Sequence, residues 1–241
     1  MIDDPIFVFG SNRAGRHGRG AAAFAVRWRG ARMGQGIGPA GRSYAIPTKD
    51  ADLRVLPVED IAPEVGRFID YAREHPEVPF DVTAIGCGLA GYPDETIAPL
   101  FAAVPPNCRL PYRWQRLLDP ALPARVIVAG SRSFTDGAFL ARTLDRLLSR
   151  LGGDTIIVSG GARGADRLGE QYAQDRQLGL MREPADWDRY GRRVAGMIRN
   201  QHMSFLSSHL VAFWDGSSPG TRAMIDMARN DRLQVRVARV G

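Results

Sequence analysis

The sequence has few cysteines, no long apolar run and a single lysine. Its two cysteines, Cys87 and Cys108, are too few for a disulfide framework and lack the C-x2-C spacing of a zinc site. No stretch approaches the roughly 18 apolar residues of a transmembrane helix, and residues 1–5 lack the basic start of a secretory signal. We therefore expect a soluble, cytoplasmic protein with no membrane partner, no metal and no cofactor.

The net charge of +6 is unevenly distributed. Residues 1–111 carry 12 basic and 13 acidic side chains, whereas residues 112–241 carry 20 and 13. A basic excess suits a phosphate-bearing ligand, nucleic acid or a solvated surface. The arginines of the second half form no basic stripe, so we expect them to recognise phosphate within a pocket and not duplex DNA.

Strands alternate with helices along the whole chain. In the first half, strands at 6–9, 43–46 and 81–85 alternate with predicted helices at 18–29, 58–74 and 94–103. Residues 111–124 contain three prolines and no sustained period, which predicts a linker at 112–124 between domains 1–111 and 125–241. The second domain repeats the alternation, with strands at 126–129, 155–159, near 180, 210–214 and 234–240. We therefore predict two three-layer α/β domains, the first with a mixed sheet and the second Rossmann-like, with a doubly wound parallel sheet.

Glycine-rich loops follow several strands of the second half. Glycines let the backbone approach a phosphate, which the free N–H groups of a helix N-terminus then stabilise. Each glycine taken alone fits a tight turn equally well. The candidate ligand-binding residues of this half lie in loops expected at one sheet edge: Gly130, Ser131, Arg132, Gly160, Gly161, Ala162, Arg163, Asp166, Asp186, Trp187, Arg199, Asn200, Gly220 and Thr221.

These segments resemble the YspA-like branch of the SLOG superfamily over nearly all of residues 125–241. The resemblance implies a Rossmann-like fold that binds nucleotides or NAD-derived ligands. Related hydrolases of the Lonely Guy type carry a glutamate three residues after the threonine of their Gly-Thr motif, where this chain has Met224. Asp226 lies about 200° around the helix from that position and cannot replace the glutamate. We therefore expect a ligand-binding module more than a hydrolase.

Three polar segments of the first half, at 9–20, 44–50 and 85–93, are associated with the ends of predicted strands. Asn12 is suited to pair with a base or ribose edge, and the glycine loop at 86–92 is suited to wrap a diphosphate. Turn asparagine and turn glycines are the alternative. The candidate binding residues are Gly10, Ser11, Asn12, Gly18, Gly20, Thr48, Gly86, Cys87, Gly88, Leu89, Ala90, Gly91 and Tyr92.

Together these segments resemble a macrodomain over about residues 5–111, most closely the terminal ADP-ribose protein glycohydrolase type and the DarG antitoxin. The resemblance implies ADP-ribose binding and a lysine, here Lys49, that acts on the anomeric carbon of the distal ribose. Lys49 is the only lysine among 32 basic side chains, and its titratable amine can do chemistry that arginine cannot. Ala90 replaces the aspartate of the glycohydrolase loop, which leaves Asp50 or Asp94 to supply acid–base help.

The leading hypothesis is an ADP-ribosyl hydrolase joined to a nucleotide-binding SLOG domain. One alternative is a non-catalytic protein that senses or sequesters NAD-derived signals in phage–bacterial conflict, which Ala90 and Met224 favour. Another is a nucleic-acid-directed protein. The expected partners are ADP-ribose or a related nucleotide, an ADP-ribosylated substrate of unspecified type, and DNA as an option. Formation of a homo-oligomer is left open.

Overall fold

The chain folds into two compact α/β units, residues 1–118 and residues 119–241. The computed structural model describes residues 5–151 and 153–240, apart from the side chains of Arg189, Tyr190, Arg192 and Arg193. In the first unit the elements are β1 (Ile6–Asn12), α1 (Gly20–Trp28), β2 (Gly38–Ala40), β3 (Ser43–Lys49), α2 (Val58–Glu74), β4 (Phe80–Val82), α3 (Asp94–Ile97), β5 (Cys108–Arg109) and α4 (Tyr112–Leu118). This unit contains the mixed sheet that the sequence predicts.

The first sheet has the order β2-β3-β1-β4-β5, and only the β2–β3 pair is antiparallel. Side chains alternate between its two faces, as the period of a strand requires. Phe7 and Phe9 of β1 pack with Ala22 and Ala25 of α1, whereas Val8 packs with the core beneath α2. Helices α1 and α2 therefore cover opposite faces of this sheet.

Two predictions for the first unit are wrong in detail. The helix predicted at 94–103 is α3 followed by a 3-10 turn at Ala98–Phe101, because Pro99 lacks the N–H that would continue the α-helix. The linker predicted at 112–124 starts with α4, whose Tyr112 and Trp114 are fully buried. Residues 112–118 thus belong to the first unit, anchored by aromatic side chains.

The second unit contains β6 (Ala124–Gly130), α5 (Gly137–Leu151), β7 (Thr155–Ser159), α6 (Ala165–Asp175), β8 (Gly179–Arg182), α7 (Trp187–Phe205), β9 (His209–Trp214), α8 (Pro219–Asn230) and β10 (Gln234–Arg239). Its sheet has the order β10-β9-β6-β7-β8, and every strand pair is parallel. Helices α5 and α6 pack on one face, and α7 and α8 on the other. The α/β prediction with an all-parallel second sheet is confirmed.

The strand order of the second unit reverses between β6 and β9. From β6 the chain moves outward to β7 and β8, then returns to the other side of β6 for β9 and β10. In open parallel sheets such a reversal opens a crevice at the carboxyl ends of the strands, where ligands bind. We therefore expect a ligand site at the loops that follow β6, β7 and β9.

Among the described helices, none is both long enough and apolar enough to span a bilayer. Within residues 5–151 and 153–240, no three His, Cys, Asp or Glu side chains are grouped so that they could ligate a metal.

Candidate functional site

The loops after β6 and β9 are tied together through Ser131. The Ser131 backbone N–H donates to the Phe213 carbonyl at 2.9 Å, and the Ser131 Oγ accepts from the Asp215 backbone N–H at 3.1 Å. Ser131 is only 1% exposed, so its side chain holds the two loops together and is closed to solvent. The sequence predicts Ser131 as a ligand-binding residue in the loop after β6, but it does not predict the hydrogen bonds of Ser131 to β9 and the loop that follows it.

The loops after β6 and β7 lie back to back because two glycines permit it. A Cβ atom on Gly164, whose φ is +78°, would lie 2.8 Å from the Cα of Arg132. A Cβ atom on Gly130 would lie 2.7 Å from the Cβ of Ala165, at the start of α6. Gly161, with φ +70°, has no atom within 4 Å of the corresponding position. The β7 loop is therefore closed on the β6 side and open at Gly161.

A buried ion pair lies at the base of the β7 loop. Asp166 is 3% exposed and accepts a hydrogen bond from the Ala162 N–H at 3.3 Å. Arg199, on α7, places its guanidinium 3.9 Å from the Asp166 carboxylate. The same guanidinium donates to the Gly160 carbonyl and to the Asn200 Oδ1. A side chain at Gly160 would displace the Arg199 guanidinium from its present position.

The electrostatics of this cluster favour an added anion. Burial raises the pKa of Asp166, and the charge of Arg199 only partly opposes that shift. Burial lowers the pKa of Arg199, the Asp166 charge raises it, and the neighbouring charge of Arg132 lowers it. The positive charge of Arg132 thus acts on Arg199, and an anionic ligand would offset it.

Some of the predicted residues of the second unit contact one another, and others lie elsewhere in this unit. Gly160, Ala162, Asp166, Arg199 and Asn200 form one hydrogen-bonded cluster, with Arg132 beside it. Arg163 and Trp187 are exposed, and Thr221 is buried, with its hydroxyl donating to the Ser218 Oγ at 3.0 Å. Asp186 immediately precedes α7, and Gly220 lies in the first turn of α8.

A cavity of about 320 Å³ opens beside Ser131. Its lining comes from the loops that follow β6 and β9, the start of α5 and the end of β10, namely Ser131, Ser133, Phe134, Thr135, Asp136, Phe139, Asp215, Arg239 and Val240. Backbone hydrogen bonds from Ser218 and Ser217 lower the pKa of Asp215 to about 2, so this carboxylate shapes its own turn. The turn that begins at Asp215 was expected at this edge from the sequence, whereas Ser133 and Arg239 were not predicted.

In the first unit three predicted segments also meet at one sheet edge. Asn12 and Lys49 are register partners at the ends of β1 and β3. A Cβ atom on Gly10 would lie 3.5 Å from the Gly86 nitrogen, which brings the glycine loop against β1. The Tyr92 hydroxyl donates to the Leu56 carbonyl at 2.6 Å and links that loop to the segment after β3.

Most polar side chains at this edge hold the loops and do not point into open space. The Asn12 amide donates to the Arg16 carbonyl at 2.8 Å and its Oδ1 accepts from the Arg16 N–H at 2.9 Å. Ser11 donates to the Gly36 carbonyl, and Thr48 donates to the Ser11 carbonyl. The structure thus gives Asn12 a loop-forming role where the sequence suggested a direct ligand contact.

The two candidate acids of the first unit are also engaged. Asp50 Oδ1 accepts from the N–H groups of Asp52 and Arg54, which closes the turn after β3. Asp94 is held by both arms of the Arg113 guanidinium and by the Trp114 Nε1–H at 2.6 Å. Burial raises the pKa of Asp94, but these hydrogen bonds outweigh it, so the pKa lies below its usual value. An ionised, fully engaged carboxylate is a poor proton donor.

The remaining candidates of the first unit differ in exposure. Lys49 is half-buried, and within the described part of the chain its ammonium has no ion-pair or hydrogen-bond partner. Cys87 is 3% exposed and hydrogen-bonded to Asp94, consistent with selection for size. The exposed or partly exposed loop residues are Gly18, Gly20, Gly88, Leu89, Ala90 and Gly91.

The comparisons with known proteins concern about half of the chain. Residues 124–190 match the model of the YspA, cpYpsA-related SLOG family. The Gene 61 protein of Mycobacterium phage D29 is 36% identical over 117 residues, which cover 46% of this chain and 93% of the phage protein. The SLOG prediction is thus supported at residues 124–190, whereas the macrodomain resemblance remains a hypothesis.

Two solved structures of DNA processing protein A show weaker similarity. The protein from Streptococcus pneumoniae aligns with a TM-score of 0.41 and 17% identity, over 52% of this chain and 53% of that chain. The protein from Helicobacter pylori, described with a single-stranded DNA binding mode, gives 0.36 and 22%, over 48% and 65%. The chain therefore spans about half to two thirds of these two proteins, and at such TM-scores the similarity carries no argument about a ligand.

Proposed function

Because the chain belongs to the family of the phage D29 Gene 61 protein and contains a SLOG segment, we propose that it is a nucleotide-binding protein whose second unit holds the phosphate. The observation that carries the proposal is the position of the Arg199 guanidinium, which donates to the Gly160 carbonyl beside the open turn at Gly161. Arg132, in the loop after β6, adds a second positive charge. The strand reversal between β6 and β9 supports the same location. A Rossmann-like classification of this unit belongs to the proposal.

The ligand class follows from the chemistry of the loops. Arginine forks and backbone N–H groups match phosphate oxygens, and the cavity of about 320 Å³ beside Ser131 has the aromatic side chains of Phe134 and Phe139 in its lining. Adenosine monophosphate and ADP-ribose combine a phosphate with a flat base and fit both features. Binding without turnover is favoured in this unit because Met224 is 2% exposed and packed in the core beneath α8.

Replacing Arg132 with alanine should weaken ADP-ribose binding at least tenfold, about 1.4 kcal/mol, because it removes one of two cations that face the anion. Arg167 is a matched control, since it is also exposed, lies on the neighbouring helix α6 and loses the same charge on replacement. Calorimetric titration of the full chain should give nearly wild-type affinity for Arg167→Ala. An equal loss of ADP-ribose affinity in both variants would show that only the net charge matters and would reject the site.

A second candidate activity, removal of ADP-ribose from a modified macromolecule, rests on Lys49 in the first unit. Lys49 lies at the edge where three loops meet, and within the described residues its ammonium is unpaired. After losing a proton to water, the Lys49 amine would bond to the anomeric carbon while the bond from that carbon to the modified side chain or base breaks. The leaving group departs with the electron pair, and water then hydrolyses the lysine–sugar bond to release ADP-ribose. With Asp50 and Asp94 engaged elsewhere, Lys49 would act without either carboxylate as a proton donor.

Both Lys49→Arg and Lys49→Ala should abolish release of ADP-ribose from modified glutamate and thymidine substrates, while ADP-ribose affinity changes little. Arginine keeps the charge but stays protonated at neutral pH, so it cannot act as a nucleophile. Arg54→Ala controls for loss of charge after β3, because the Arg54 side chain is 79% exposed. Activity that survives in Lys49→Arg would exclude covalent chemistry, and an inactive wild type would leave nucleotide binding alone.

A further inference from the structure

The near-zero net charge of the first unit hides a strong separation of charge along the chain. Residues 5–49 contain eight basic side chains and no aspartate or glutamate, whereas residues 50–118 contain six basic and eleven acidic ones. The basic segment forms β1, α1, β2 and β3, and most of the acidic side chains follow in and after α2. Helices α1 and α2 cover opposite faces of the sheet. The basic side chains around α1 and the acidic side chains around α2 are therefore separated by the sheet.

The α1 face, defined here by Arg16, Arg19, Arg27, Trp28 and Arg32, is open to solvent at every one of these positions. In the described part of the chain, none of its four arginines forms an ion pair. Arg13, which reaches Asp60 on α2 at 3.8 Å, lies at the border and is excluded. Unpaired cations without an interspersed acid are unusual on a surface that serves solubility alone, where both signs are mixed.

An aromatic side chain accompanies these cations. Trp28, at the end of α1, is 55% exposed, and the Arg27 guanidinium lies 5.0 Å from the centre of its ring. Met33, in the segment after α1, is 63% exposed. An exposed large aromatic ring is costly in water and suits stacking against a base.

We propose that the α1 face binds the backbone of a single-stranded nucleic acid, with Trp28 stacking on a base. Arg16 and Arg19 precede α1 and Arg27 lies in its last turn, so the cations are spread over the helix length of about 13 Å. Cations along a groove or face with an interleaved aromatic ring are the pattern of sequence-tolerant strand binding. The proposal uses no residue of the nucleotide site in the second unit and is independent of it.

Fluorescence anisotropy of the full chain with labelled 20-nucleotide thymidine and uridine strands tests the proposal. We expect Arg16→Glu/Arg27→Glu to lower affinity at least tenfold and to reduce the dependence of log affinity on log salt by about 1.4, for two phosphate contacts. The matched control is Arg67→Glu/Arg73→Glu on α2, which makes the same change in net charge on the opposite face. It should change affinity less than twofold.

The aromatic contribution is tested at Trp28. Trp28→Ala should weaken binding by about fivefold or more, and Trp28→Phe should restore most of that loss, because any aromatic ring can stack. Binding of either strand supports the proposal. Equal losses from the α1 and α2 reversals, no strand binding by the wild type, or stronger binding to duplex DNA or anionic vesicles would overturn it.

Discussion

Asp94→Ala is expected to lower the free energy of unfolding of the first unit by about 3 kcal/mol, because it leaves a buried cation and a buried indole N–H without an acceptor. The Arg113 side chain is 13% exposed and donates to Asp94 at 2.8 and 3.0 Å. Trp114 is fully buried and has its Nε1–H on the same carboxylate. The Asp94 side chain thus connects α3 to α4 by hydrogen bonds.

Asp81→Ala provides the comparison, since Asp81 also makes two hydrogen bonds to one arginine, Arg109. The Arg109 side chain is 48% exposed, so water can replace the lost partner and the expected cost is below about 1 kcal/mol. Urea unfolding followed by circular dichroism measures both variants. Similar losses for Asp81→Ala and Asp94→Ala would contradict the buried network.

The same network predicts an acid dependence of stability. Because the folded-state pKa of Asp94 lies below its unfolded value, its contribution is present above about pH 4 and is lost as the pH falls through the folded pKa. The free energy of unfolding of the wild type should therefore fall on acidification below about pH 4. Asp94→Asn should lack that part of the decrease.

The periodic elements could be predicted from the sequence because local patterns determine them. The 58–74 helix and the 155–159 strand have the bounds that their apolar periods indicate. Helix α4 was missed because it has only seven residues and lies among prolines, and its stability comes from burying Trp114 and not from a local period. Tertiary packing decides such short elements.

The candidate sites could be located by sequence but their side-chain roles could not. Glycine loops after parallel strands must meet at one edge, which placed Gly86 near Gly10 and Gly164 near Arg132. Whether a polar side chain faces the ligand or its own loop depends on contacts between distant residues. The Asn12 amide donates a hydrogen bond to the Arg16 carbonyl, and the Arg199 guanidinium donates to the carbonyl of Gly160, which lies 39 residues earlier in the chain.

Arg199→Met should separate the structural and the binding roles of the cluster in the second unit. It leaves Asp166, which is 3% exposed, without its cation, so we expect the free energy of unfolding to fall by about 2 kcal/mol at neutral pH. Adding Asp166→Asn should recover most of that loss, because a neutral amide needs no counter-charge. Nucleotide affinity should remain at least tenfold below wild type in the double variant.

Comparison of AMP with adenosine tests most directly whether Arg132 and Arg199 recognise the phosphate of the ligand. The two molecules differ only in the phosphate. Calorimetric titration of the full chain should show at least tenfold tighter binding of AMP, and the difference should disappear in Arg199→Met/Asp166→Asn. Equal affinity of the wild type for AMP and adenosine, or an AMP preference that survives in the double variant, would contradict the account.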